Sequence, residues 1–388
     1  MRVPVSAWFL LASLALVCAC EARDFGGVKT PTDELHFPVS VRPLPGHAYA
    51  LVSSANFDLE YRSGALSILD VQHNTILKGD GFGVEIGNFA GDIALLVRDG
   101  IATDAYVPVR EGDAVYHIEI SYEDGVPRLS CSENGGTVCD GDHVLTDVGN
   151  DSIGGDPFGA IVFHEPLLNE DLLLVTELAD GGVDIWRLDD TGHPEALGRL
   201  DLEAPGMMSP VYLPQTGRLL IPNRFYNAIT TFEIDYTANP LEVRSRRDLS
   251  LPIGMASGDY YRSVVAIGSK IYIADRNSDR VVVLDALSEA FTGTLPAIQG
   301  VTGIARSSDD LLVATSFDHR RLAVIDLQSE SVLAVIGLTR RPYGIMVVEP
   351  PGANIHRAYF SMFTEDRLGV MDLDPLSDRF LDVIAYIQ

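Results

Sequence analysis

The apolar residues of this chain fall in short runs of four to eight, rich in Val, Ile, Leu and aromatic side chains and bounded by Gly, Pro, Asn and Asp. That is the pattern of β-strands separated by tight turns. The runs repeat. A strand ending in Asp recurs as SILD at Asp70, IWRLD at Asp189, TFEID at Asp235, VVVLD at Asp285, LAVID at Asp326 and LGVMD at Asp372. The last five aspartates lie 46, 50, 41 and 46 residues apart, and YHIEI around Glu119 fills the longer gap after Asp70. A second run precedes each of these, as in YALVSS from Tyr49, KIYIAD from Lys270 and RAYFSM from Arg357. A further run lies upstream of that, as in SVVAIG from Ser263 and YGIMVV from Tyr343, and a looser one follows each Asp. Four short strands per unit of about 50 residues, seven times over, predict an all-β fold, a seven-bladed β-propeller of four-stranded antiparallel blades. The propeller spans residues 38–388, with an insertion at 122–157 between blades 2 and 3. One blade cannot bury both its faces alone, so neighbours must stack. If residues 28–37 do not pair with the last blade, closure rests on packing between the first and the seventh.

The stretches IYIADRNSDRVVVLD and RRPYGIMVV resemble the YVTN-repeat family of seven-bladed propellers. The resemblance implies a fold more strongly than an activity. It also implies a working surface at one end of the axis, built by the loops that join strands two and three and by those that join successive blades. The position where YVTN repeats hold Asn is here Ser54, Val109, Glu177, Asn223, Asp275, Thr315 and Met362. Three successive blades thus offer Glu177, Asn223 and Asp275, an oxygen-rich candidate axial set for Ca2+ or another divalent cation. In residue type it resembles the metal site of gluconolactonase-type propellers, which implies a metal-dependent lactonase-type hydrolase as an alternative function. The plainer role is that polar residues at strand ends bond their own turns. Around them Arg224, Tyr226, Tyr261, Arg276, Arg341 and Tyr343 form a candidate recognition rim, since Arg and Tyr dominate recognition surfaces. The arginines would receive an anionic ligand or pair with the abundant Asp.

The amino terminus departs from the repeat. Arg2 precedes an apolar stretch from Val5 to Val17, too short to span a bilayer and suited to a signal peptide. Val17, Ala19 and Cys20, with Cys18 between, resemble a bacterial lipobox, which implies removal of residues 1–19 and acylation of Cys20. Cleavage after Ala19 or Ala22 without lipid is the alternative. Glu21 in place of Asp implies the outer membrane of a Gram-negative cell. Residues 20–37 are then the lipidated Cys and a flexible tether.

Export makes Cys131 and Cys139 a candidate disulfide, since they flank the turn signal Glu-Asn-Gly-Gly; two unpaired thiols are the alternative. Asp140, Asp142, Asp147, Asp151 and Asp156 crowd the same insertion, where an acidic loop either takes Ca2+ or is simply solvated. The formal charge of −27 argues against a nucleic-acid partner. With 35 Gly and 21 Pro, long helices are not expected. G-x-S-x-G, H-E-x-x-H, P-loop and C-x-x-C-H patterns are all missing, and the nine His show no ligand spacing. No cofactor is assigned beyond the Ca2+ or other divalent cation that the axial set and the acidic loop would take. The function expected is a lipid-anchored, non-enzymatic module of the cell envelope, bound to the bilayer through Cys20, whose rim takes a protein, polymer or small ligand.

Overall fold

The computed structural model describes residues 27–132, 135–148, 151–250, 261–308, 310–352 and 355–388. The signal peptide expected at residues 1–19, the expected acylation site Cys20 and residues 21–26 lie outside the described residues. Tyr261 opens a strand, but its side chain also lies outside them.

Seven antiparallel sheets follow one another along the chain. Blade 1 uses Pro38–Pro43, Tyr49–Ser54 and Gly64–Asp70, with an outer strand split into Thr75–Ile76 and Gly83–Ile86. Blade 2 uses Ala94–Arg98, Ile101–Val109 and Ala114–Glu123, and both Val126–Ser130 and Val144–Leu145 pair with its third strand. The insertion therefore begins after Ser130, later than the pattern predicts, because Val126–Ser130 completes the blade. Blades 3 to 7 are regular and begin at Pro157, Val211, Tyr261, Val301 and Ile345. The middle strands are buried on both faces, as in Leu311–Ser316, where every residue is buried. The outer strand Ser331–Gly337 instead alternates between exposed and half-buried. Middle strands lie between two neighbouring blades, so they read as continuous apolar runs.

The recurring Asp has a structural role. Asp70, Asp189, Asp235, Asp285, Asp326 and Asp372 accept backbone N–H bonds from the turn that follows, for example Ser288 to Asp285 at 2.8 Å. Asparaginyl-type turns of this kind fix the three–four hairpin. Bonds from Thr191, Thr237, Ser288 and Ser329 hold Asp189, Asp235, Asp285 and Asp326 below the usual carboxylate range.

A second recurring device ties blade to blade. Near the end of strand two, a hydroxyl accepts an N–H from strand one of its own blade and donates to a carbonyl of the next blade. Ser53 joins Ser40 N to Gly91 O, and Thr176 joins Gly159 N to Met208 O. Thr315 joins Gly303 N (2.9 Å) to Tyr343 O (2.8 Å), and Ser361 joins Gly344 N to Val39 O. A Cβ at Gly303 would lie 2.9 Å from both Thr315 Oγ1 and Tyr343 O, so only glycine permits this approach. Thr315 thus aligns with Thr176. The counterpart of Glu177 is Ser316, which pairs with Val301 as Glu177 pairs with Pro157. In that blade the strand-end position therefore falls on Ser316, one residue after Thr315.

The ring closes by packing between complete blades. Val41, Val52, Leu69 and Val71 of blade 1 share one core with Val348, Tyr359, Leu368 and Val370 of blade 7. Tyr359 donates to Asn74 Oδ1 at 2.7 Å, Arg357 bonds Val71 O, and Phe37 N donates to Asp366 at 2.9 Å.

Residues 27–37 are not a loose tether. Arg62 N donates to Val28 O, Thr30 Oγ1 to Ser63 O, and Ser67 Oγ to Thr32 O, while Leu35 and His36 are buried. This arm lies along blade 1 because its polar backbone finds partners there. Cys131 and Cys139 are disulfide-bonded, and Cys131 is buried in the core between blades 1 and 2. The loop they close reaches blade 1 through Glu85 N to Thr137 O.

Candidate recognition face at the end of the axis

Antiparallel strands put the two–three turns and the blade-to-blade connections at the same end of the ring. Glu177, Asn223 and Asp275 all stand there, at the ends of second strands. Each is engaged by its own blade or by the connection leading into it. Glu177 is fully buried, with Arg199 Nη2 at 2.6 Å and Gly182 N at 3.3 Å on Oε2. Beside it Asp184 accepts Gly154 N at 3.1 Å, and the buried Glu177 Oε1 and Asp184 Oδ1 have no partner outside the pair. Burial, then the facing Asp184, pushes Glu177 well above the usual carboxylate range, with Arg199 opposing. Burial likewise raises Asp184. A Cβ at Gly154 would overlap the Glu177 carboxyl, so the start of blade 3 seals the pair from water.

Asn223 is saturated. Its amide nitrogen donates to Ala204 O and Pro205 O, and its oxygen accepts Phe225 N and Tyr226 N. Asp275 accepts Ser278 N at 3.2 Å, and burial raises it above the usual range. Among the described residues no hydrogen bond or ion pair joins any two of Glu177, Asn223 and Asp275. The acidic insertion disperses too: Asp156 pairs with Arg110, Asp140 with His143, and Asp147 sits in a short hairpin with Ser152.

The rim residues fare differently. Arg341 stands 5.2 Å over the ring of Phe317, whose centroid is 6.3 Å from Tyr343. Tyr343 continues to Phe363 (5.5 Å), Phe363 to Phe57 (4.8 Å) and Phe37 (5.5 Å), and Phe57 to Phe89 (5.1 Å). The rings meet edge-on or tilted, the favoured aromatic geometries. They form a half-buried arc over blades 6, 7, 1 and 2, and Tyr343 also lines the axial channel. Farther round, Arg224 stands 5.7 Å from the Phe225 ring, and Phe225 and Tyr226 are about half exposed. Arg276 pairs with Asp318 of the next blade.

The five phenylalanines of this arc escaped the sequence reading. A signal was present: Phe follows the end of strand two within three residues at Phe57, Phe225, Phe317 and Phe363. Nor are the histidines all scattered. His117 is buried with Nε2 2.8 Å from Asp104, its ring 5.6 Å from His143 and 6.4 Å from His193. At the foot of the arc His36 lies between Asp58 (2.8 Å) and Asp366 (3.4 Å). His36, Asp58 and Glu60 are, among the described residues, the group of three whose ligand atoms lie within 4.8 Å of one another.

Neither a family model nor a curated protein matches this sequence. Solved structures do. Hydrazine synthase of Kuenenia stuttgartiensis superposes with a TM-score of 0.61 at 13% identity, covering 89% of this chain and 97% of that one. The chain is a seven-bladed β-propeller. The WD40 propeller domain of Doa1 (TM-score 0.58, 10% identity, 88% and 94% covered) agrees with that architecture. So does virginiamycin B lyase of Staphylococcus aureus (0.54, 11%, 87% and 94%). At such identities the likeness establishes the fold, and these propellers span different activities.

Proposed function

We propose that this propeller is a non-enzymatic binding module of the bacterial envelope, held to the outer membrane by an acylated Cys20, that takes its ligand on the aromatic arc. One observation carries the reading: Arg341, Phe317, Tyr343, Phe363 and Phe57 form a continuous run of rings beside the mouth of the axial channel. Rigid aromatic anchors with an adjacent guanidinium supply contact area at low entropic cost.

The test uses the wild type and a Phe363→Ala/Arg341→Ala double variant with unchanged melting. Both are screened on arrays of soluble envelope glycans and of peptides. Binding by the wild type that the double variant loses supports the proposal. Equal binding by both, or none on either array, overturns it. Radiolabelled palmitate incorporation that disappears in Cys20→Ser tests the anchor. The hydrolase alternative needs Arg199 to leave Glu177 and Asn223 to leave its turn; a lactone assay without Ca2+-stimulated turnover eliminates it.

A further inference from the structure

The first strands of all seven blades line an axial channel of about 620 Å3. That volume falls within the usual range for small-molecule sites. The wall is mostly apolar, with Val39, Val41, Ala94, Ile161, Val264 and Ile304 among its residues. Its charged members are three arginines, Arg42, Arg262 and Arg306, and one acid, Asp92. Arg306 is answered at 2.9 Å by Asp310, outside the lining.

Arg42 and Asp92 are not matched in this way. Arg42 Nε donates to Ile93 O at 2.8 Å, and neither of its terminal nitrogens makes a hydrogen bond or ion pair among the described residues. Asp92 takes the Ser209 hydroxyl on Oδ2, and its Oδ1 has no bond among the described residues. Burial lowers Arg42 and raises Asp92 against their mutual attraction, and no ion pair closes between them. Ser209 comes from the edge of blade 4, Asp92 from blade 2 and Arg42 from blade 1, so three blades converge on this point. Ser263 Oγ accepts Ile304 N at 3.3 Å, and its own proton remains available. A guanidinium half-buried in this wall is costly unless something completes its bonds. Its two terminal nitrogens present a planar fork that matches a carboxylate or phosphate in a bidentate way.

We propose that the channel is a binding site for a small oxyanion, a carboxylate or a phosphate, gripped by the terminal nitrogens of Arg42. Asp92, bonded by Ser209, limits the site to weakly charged or partly protonated anions by repelling a fully ionised one. The apolar wall at Val39, Ile161 and Val264 accommodates a short hydrocarbon body, which favours an organic acid over the bare ion. Tyr343 borders both sites, but Arg341 and Phe363 of the arc do not line the channel, so the Phe363→Ala/Arg341→Ala variant leaves Arg42 and Asp92 in place.

The experiment titrates the full chain with inorganic phosphate, succinate and hexanoate at constant ionic strength, using chloride as the control and following the melting temperature and heat of binding. A saturable response to at least one oxyanion, absent with chloride, is expected. Arg42→Met abolishes it, Arg42→Lys weakens it roughly tenfold by losing the fork, and Asp92→Asn tightens it. The Phe363→Ala/Arg341→Ala variant binds as the wild type does, which separates failure of this site from failure of the arc. Should Arg42→Met not fold, the Lys and Asn variants decide. No saturable response to any of the three anions, or the same response in Arg42→Lys and Asp92→Asn as in the wild type, overturns the proposal.

Discussion

Thr315→Val tests the hydroxyl that ties blade 6 to blade 7 and through it the position of the recognition face. Valine matches threonine in shape and removes one oxygen. That oxygen accepts Gly303 N at 2.9 Å and donates to Tyr343 O at 2.8 Å, and it is fully buried. Two backbone groups lose their partner at once. Each buried, unsatisfied group costs about 1–3 kcal/mol, so the variant should lose about 2–6 kcal/mol. Unfolding entropy of about 2.1 cal/mol/K per residue over about 350 residues makes that a fall of roughly 3–8 °C in Tm. Calorimetry and guanidinium unfolding measure the loss, and hydrogen exchange follows the Gly303 amide, which should lose protection. Tyr343 carries the carbonyl concerned, and its ring joins Phe317 to Phe363. Ligand affinity on the arc should therefore fall with stability, although Thr315 lies beneath the surface. A change below about 0.5 kcal/mol with Gly303 protection unchanged would refute the reasoning, because water from the channel would then be replacing the hydroxyl.

Two further outcomes follow from other parts of the ring. Glu177 is raised to about 8 by burial, so the folded pair with Asp184 keeps a proton that the unfolded chain releases near 4.5. Wild-type stability should fall as pH rises through that window, by up to about 1.4 kcal/mol per unit for one proton. Glu177→Gln should flatten the decline, and denaturation midpoints from pH 5 to 8.5 that keep the wild-type slope count against the shared proton. In Gly83→Ala the new Cβ would lie 2.8 Å from Thr32 Cβ and closer still to Thr32 O, so the arm at 27–37 must shift. A loss of about 1–3 kcal/mol and faster tryptic cleavage at Lys29 are expected; unchanged cleavage means the arm does not depend on that contact.

Local rules alone fixed much of this molecule. Apolar runs such as Leu311–Ser316 and the Asp at each three–four turn are dictated by nearest neighbours in sequence, so blade number, strand order and turn chemistry could be read without coordinates. The pairing of Cys131 with Cys139 was legible for the same reason, because eight residues and a turn separate them. Contacts between blades were not. Whether Glu177, Asn223 and Asp275 converge depends on where each polar atom finds its nearest partner, and Arg199, Ala204 and Ser278 are nearer than one another's side chains. Phe57 and Phe363 meet only because the ring closes blade 7 onto blade 1, more than 300 residues apart in sequence. Arg42, Asp92 and Ser209 share a channel only because the inner edges of three blades face one axis. Side-chain period and turn type are short-range quantities carried by the sequence itself; the recognition arc and the charged bore arise from ring closure, which no single repeat contains.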